Sequence, residues 1–173
     1  MHRSNLIMLA AVGVASSSTI AQVITVTTLE DVSDTGTGVT VDDLPGADGK
    51  VSMREAVLAA NNSPGAQTIA FAIPELEFWT GDGVALLKLE GALWYVTGDD
   101  TTIDFSTQTV NIGDTNPDGP EVGVYGLEPN GWGHPAIIIA ADNCVIKGMG
   151  RVSLRTPSVE IQGNNNRVVA CKT

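Results

Sequence analysis

Carboxylates are the most abundant chemistry-bearing groups in this chain, with 20 Asp and Glu against 9 Lys and Arg. They are densest between Glu30 and Lys50, where Asp31, Asp34, Asp42, Asp43 and Asp48 lie among four glycines. Asp42, Asp43 and Asp48, with Gly46 and Gly49 to turn the backbone, could offer oxygens to Ca²⁺. Their spacing does not fit the EF-hand loop, and a solvated acidic turn is the simpler reading. Trp79, Trp94, Tyr95 and Trp132 could stack on sugar rings, although Trp94 and Tyr95 sit in an apolar stretch that suits packing. Trp132-Gly133-His134-Pro135 offers a histidine without a neighbouring acid or cysteine, which is weak ground for catalysis. Cys144 and Cys171 match no metal-binding spacing.

These residues must be positioned by a small, β-rich scaffold. The chain has 173 residues with 19 Gly and 8 Pro, and only 17% of it is charged. That length suits one domain able to bury a core. The net charge of −11 argues against nucleic acid and anionic membrane surfaces, which select clustered Lys and Arg.

The first residues read as an export leader. Arg3 precedes the uncharged run Leu6–Val14, and Thr19-Ile20-Ala21 could precede cleavage before Gln22. The apolar run is shorter than the roughly 20 residues that a membrane span requires. Loss of Arg3 with the leader would leave a charge of −12. No membrane insertion is expected after cleavage.

Val23–Val26 reads as a strand, followed by the acidic loop. Ser52-Met53-Arg54-Glu55 is a capping box that opens a helix over Met53–Asn61, and Asn61-Asn62-Ser63-Pro64-Gly65 closes it. This is the one helix expected. Thr68–Ile73, Ala85–Leu89, Leu93–Val96, Thr101–Phe105 and Glu121–Tyr125 read as further strands separated by turn-forming loops.

The segment Ala136–Ile146 recurs 23 positions later as Val159–Val169. This alignment sets Ile138 over Ile161, Asn143 over Asn166 and Val145 over Val168. A period of this size signals a solenoid, and strands this short make it a β-solenoid. In that register Glu160 lies over Ile137, Asp142 over Asn165 and Lys147 over Ala170, so no carboxylate meets another. Cys171 overlies Gly148, which argues against a bridge to Cys144.

Val51-Ser52-Met53-Arg54-Glu55-Ala56, with Ala60-Asn61, Pro64-Gly65 and Thr68-Ile69-Ala70-Phe71, resembles the CSLREA-motif region of exported bacterial proteins. A looser likeness runs through Val96–Asp104, Ser106–Thr109 and Asn116–Val122. The resemblance implies a helical cap on a right-handed parallel β-helix of the pectin-lyase-like type. It also implies structural roles for Ser52, Arg54 and Glu55, with Arg54 satisfying carbonyls at the coil end. Val51 stands where the motif has its first Cys, so the disulfide that often pins the preceding loop is absent. The motif carries no activity of its own.

The expected organisation is a leader over 1–21, a cap region with strand, acidic loop and helix over 22–75, and the first coils over 76–173. The fold expected is all-β, a right-handed parallel β-helix with a short N-terminal capping helix, and an incomplete solenoid, since Thr173 falls inside a coil. The expected role is a secreted or cell-surface scaffold for adhesion or glycan contact. No catalytic residue or cofactor is assigned beyond the Ca²⁺ candidates, and the partner expected is a polysaccharide or cell-surface glycan. Self-association through the open coil end is a further expectation. The alternative is the N-terminal part of an extracellular polysaccharide lyase or hydrolase whose site lies in further coils.

Overall fold

The computed structural model describes residues 21–78, 80–90, 93–126, 135–150, 152–153 and 159–171. Residues 1–20 of the expected leader, Trp79, Trp132 and His134 lie outside the described residues. Eleven strands and two α-helices are described: β1 (Gln22–Val26), α1 (Met53–Asn62), β2 (Gln67–Phe71), β3 (Ala85–Leu89), β4 (Trp94–Val96), β5 (Thr102–Asp104), α2 (Thr107–Asn111), β6 (Val122–Gly126), β7 (Ile137–Ile139), β8 (Val145–Lys147), β9 (Val152–Ser153), β10 (Val159–Ile161) and β11 (Arg167–Val169). Short 3-10 turns occupy Val41–Asp43 and Glu75–Glu77.

The strands form three open, wholly parallel sheets. The first runs β1-β2-β5-β8-β11, the second β3-β6-β9 and the third β4-β7-β10. From β2 onward the chain visits the first, second and third sheets in a fixed cyclic order. Parallel pairing leaves residues of one type stacked in columns. Ile24, Ile69, Ile103 and Ile146 occupy successive strands of the first sheet in register, each at most 2% exposed. Leu87 and Val124 pair in the second sheet, and Val96 and Ile139 in the third. All belong to one continuous core, within which the Phe71 and Phe105 rings stack at 4.6 Å. Burial of such side chains contributes on the order of 2 kcal/mol each.

The register corrects the alignment read from the repeat. Ile137 pairs with Val159, Ile138 with Glu160, and Ile139 with Ile161. Val145 pairs with Arg167, Ile146 with Val168, and Lys147 with Val169. The offset is 22 residues, as in the Asn164–Asp142 contact, and not 23. Ile138 therefore does not stack on Ile161, nor Val145 on Val168. The left-handed turn residue Asn143 aligns with Asn165, not with Asn166. The run of three isoleucines caused the error, because it offers an apolar match in either register. A slip of one residue exchanges the faces of a strand. Ile137 and Ile139 point into the core, whereas Ile138 lies outside it.

The helix α1 forms where expected. The Ser52 hydroxyl accepts from the Glu55 amide, and the Glu55 carboxylate accepts from the Ser52 amide at 2.9 Å. The other Glu55 oxygen accepts from the Asp34 amide, tying the acidic loop to the helix start. Met53, Ala56, Val57, Ala59 and Ala60 are buried, and the helix packs on β1, β2 and β4. At its C-terminal end the Asn61 side chain accepts from the amides of Thr97 and Gly98 and donates to the Tyr95 carbonyl at 2.7 Å.

A second helix was not expected. Apart from Gln108, Thr107–Asn111 is composed of poor helix formers. It is held by side chains that continue the pairing of β2. The Thr107 hydroxyl accepts from the Phe71 amide, the Gln108 amide group both accepts from and donates to the Ile73 backbone, and Asn111 donates to the Phe71 carbonyl.

The N-terminal loop covers the edge of β3, where the Leu29 carbonyl accepts from the Lys88 amide, while Asn61 of α1 meets the backbone of β4. Asp31 is fully buried, and its carboxylate receives the Arg54 guanidinium, the Glu90 amide at 2.9 Å and the Trp94 indole N–H at 3.2 Å. Arg54 was expected to satisfy carbonyls at the coil end, and its ion pair with Asp31 was not foreseen. Removing one partner of such a pair strands a buried charge. Arg54→Met is expected to cost about 3 kcal/mol in urea unfolding. Ser52→Ala, which removes the cap and the hydroxyl's bond to the Val32 carbonyl, is expected to cost about 2 kcal/mol.

Candidate functional site

The richest concentration of polar groups lies in the turns that lead from the third sheet to the first. These are Thr97–Thr101, Ala140–Cys144 and Gln162–Asn166. Each holds one residue in the left-handed conformation, Asp100 (φ 57°), Asn143 (φ 59°) and Asn165 (φ 57°). Asp and Asn accept that conformation more readily than other side chains do.

The turns are stitched to one another. Asp99 Oδ1 accepts from the Asp142 amide at 2.8 Å, and Asp142 Oδ1 accepts from the Asn164 amide at 2.6 Å and from its side chain at 3.1 Å. Asn165 donates to the side-chain oxygen of Asn143. Asn166 accepts from the Cys144 amide and donates to the Ala141 carbonyl. The approach is close enough that a β-carbon on Gly163 would lie 2.0 Å from the Ala141 oxygen.

Two carboxylates, Asp99 and Asp142, thus occupy neighbouring turns, a juxtaposition the repeat alignment did not contain. Their signal was present in Thr97-Gly98-Asp99-Asp100, Ala140-Ala141-Asp142-Asn143 and Gln162-Gly163-Asn164-Asn165. The corrected register also changes the polar neighbours. Asp142 meets Asn164 rather than Asn165, Glu160 lies beside Ile138 rather than Ile137, and Lys147 lies beside Val169 rather than Ala170.

Cys144 and Cys171 are both free thiols. Burial pushes the Cys144 thiol above its ordinary value, and the charges of Asp99, Asp100 and Asp142 add to this against a backbone hydrogen bond with Thr101. That environment disfavours a thiolate nucleophile.

The Ca²⁺ candidates do not converge. Asp43 closes the Val41–Asp43 turn, its Oδ2 accepting from the Thr40 amide and hydroxyl, and these bonds lower its pKa. Asp48 Oδ1 accepts from the Lys50 amide, while the Asp48 amide donates to Asp34. Among the described residues no group of three or more His, Cys, Asp or Glu could hold a metal ion. The loop uses acidic oxygens to bind its own backbone, as short turns rich in Asp commonly do.

Of the aromatic candidates, Trp94 is 1% exposed and its N–H is held by Asp31, so it is a packing residue. Tyr95, its neighbour, points outward and is 43% exposed. Its hydroxyl donates to Gln162 Oε1 at 3.0 Å, and Gln162 donates to Glu160 at 2.8 Å.

Ion pairs decorate the outer faces. Asp104, from β5, accepts from Lys147 of β8 at 2.9 Å and from Ser106. Partial burial raises the Asp104 pKa, but the bonds from Ser106 and Lys147 outweigh it, so the group titrates below its ordinary 3.8. Glu77 behaves alike: burial raises it, and Lys50, Thr28 and the Leu29 amide bring it below 4.5. A lowered folded-state pKa gives stability above the unfolded value, lost as pH falls through the folded value. Thermal midpoints are therefore expected to drop as pH falls below about 4, with a shallower slope for Asp104→Asn.

No helix among the described residues is long and apolar enough to cross a membrane. No family model, curated protein or solved structure matches the chain.

Proposed function

We propose that this chain is an exported right-handed β-solenoid that acts as a scaffold for adhesion or glycan contact. The cyclic visiting of three parallel sheets is what a β-solenoid requires. Right-handedness follows from the strong chiral preference of parallel crossover connections. The helix α1 then serves as the cap over the first coil, in keeping with the resemblance to CSLREA-motif proteins.

The observation that carries the scaffold reading is the fate of the carboxylates in the stacked turns. Asp99 Oδ1 accepts from the backbone of the next turn, and Asp142 Oδ1 from both the backbone and the side chain of the turn after it. General acid–base work needs a carboxylate free to exchange a proton with substrate. The amides of Asn143, Asn164, Asn165 and Asn166 likewise join one turn to the next. A polar surface of this kind, on a chain of net charge −11, suits contact with a hydroxyl-rich partner better than with a polyanion.

Two measurements test the proposal. Expressed from Met1 in a bacterial host, the protein is expected outside the cytoplasm with Gln22 as its first residue. Recovery in the cytoplasm with Met1 intact would overturn export. On a panel of immobilised polysaccharides the exported protein is expected to be retained without releasing unsaturated sugars from polygalacturonate, with or without Ca²⁺. Retention on none of them, or release of unsaturated product, would overturn the scaffold reading.

A further inference from the structure

We propose that Tyr95 is a sugar-stacking platform on the outer face of the third sheet, built to take a linear, uncharged chain of β-linked hexoses. The proposal rests on the glycan-contact reading above and assigns it a surface and a ligand class.

The geometry begins with the register. Tyr95, Ile138 and Glu160 are direct neighbours across β4, β7 and β10. Strands in a sheet are about 4.8 Å apart, so β4 and β10 are separated by about twice that distance. The Tyr95 hydroxyl nevertheless reaches Gln162, just beyond the end of β10, at 3.0 Å. A tyrosine standing upright on β4 cannot make that bond. The ring must lean toward β10, over β7, the strand of Ile138. Ile138 points away from the core yet is only 8% exposed, as a residue beneath such a ring would be.

A ring leaning over Ile138 in this way keeps part of its surface toward solvent, in keeping with Tyr95 being 43% exposed. Its hydroxyl is anchored, and Gln162 is anchored in turn by Glu160 at 2.8 Å. The platform is therefore fixed before any ligand arrives, which spares the entropy of ordering it on binding. An aromatic face with polar groups at its rim is the pattern of small-molecule recognition by a few placed side chains.

The surroundings select the ligand. Glu160 sets a carboxylate beside the Gln162 amide that holds the ring hydroxyl, and on a chain of net charge −11 it repels uronate or sulfated chains. Gln162, whose oxygen accepts from Tyr95 and whose nitrogen donates to Glu160, adds an amide able to bond a hydroxyl in either sense. β-Linked hexoses with equatorial hydroxyls present flat C–H faces to a ring and hydroxyls to its rim.

The test uses the full chain, with cellohexaose as the uncharged probe and a polygalacturonate oligomer as the anionic one, read by calorimetry. Wild type is expected to bind cellohexaose more tightly than the polygalacturonate oligomer. Tyr95→Ala is expected to weaken cellohexaose binding at least about ten-fold, and Tyr95→Phe, which keeps the ring, less than about three-fold. Circular dichroism of each variant confirms that the fold is retained. Should Tyr95→Ala unfold the chain, saturation-transfer NMR on wild type must place cellohexaose C–H groups against the Tyr95 ring. Cellohexaose binding unchanged in Tyr95→Ala, absence of that transfer, or tighter binding of the polygalacturonate oligomer overturns this inference while leaving glycan contact standing. Binding of no polysaccharide at all removes both.

Discussion

The Asp31 carboxylate is the contact through which the front of the molecule is held together. It has no exposed side-chain surface, and it binds a helix residue, a backbone amide after β3 and the indole of β4. A parallel sheet presents a row of unpaired backbone groups at its first strand, and an uncovered row invites pairing with another chain. At the second sheet Asp31 fixes the loop that covers this row, where the Leu29 carbonyl also accepts from Lys88, and at the third it holds the Trp94 indole while Asn61 of α1 meets the backbone. Its negative charge is tolerable because Arg54 lies against it. The capping box of α1 then sets where Arg54 stands, so local helix chemistry and the tertiary cover of the sheets depend on each other.

Sheet content, the position of α1 and its capping box were legible because they rest on local signals. Alternation marks strands, and Ser52 with Glu55 marks a helix start. The register was not legible, because the isoleucine run Ile137–Ile139 satisfies two alignments and only the facing of each strand distinguishes them. The helix α2 escaped for a different reason. Thr107, Thr109, Val110 and Asn111 have little helical preference, and the bonds of Thr107, Gln108 and Asn111 to residues 71 and 73 exist only once the sheet has formed. The role of Asp31 was hidden likewise, since its partners lie 23, 59 and 63 positions away.

The acidic residues divide by surroundings rather than by position in the chain. Those of the N-terminal loop fold back on neighbouring amides, as Asp43 and Asp48 do. Those of the stacked turns bond to the turn beside them, as Asp99 and Asp142 do. The same side chain thus shapes a loop in one place and joins successive circuits of the chain in another. Each bond contributes on the order of 1 kcal/mol, and their repetition along one line makes the turn column rigid.

The strands of the first sheet keep one register although the chain between partners varies in length. Gln22 and Gln67 are 45 residues apart, Asp104 and Lys147 are 43 apart, and the contacts of the last pair span 22. Each doubling of a connecting loop costs only about 0.6 kcal/mol. Insertions between strands are therefore nearly neutral to the framework, whereas a single residue gained or lost within a strand or a stacked turn would reverse its faces. Heritable change in such a chain is channelled accordingly: the loops can lengthen and acquire new surfaces over generations, while the ladder they decorate stays the same.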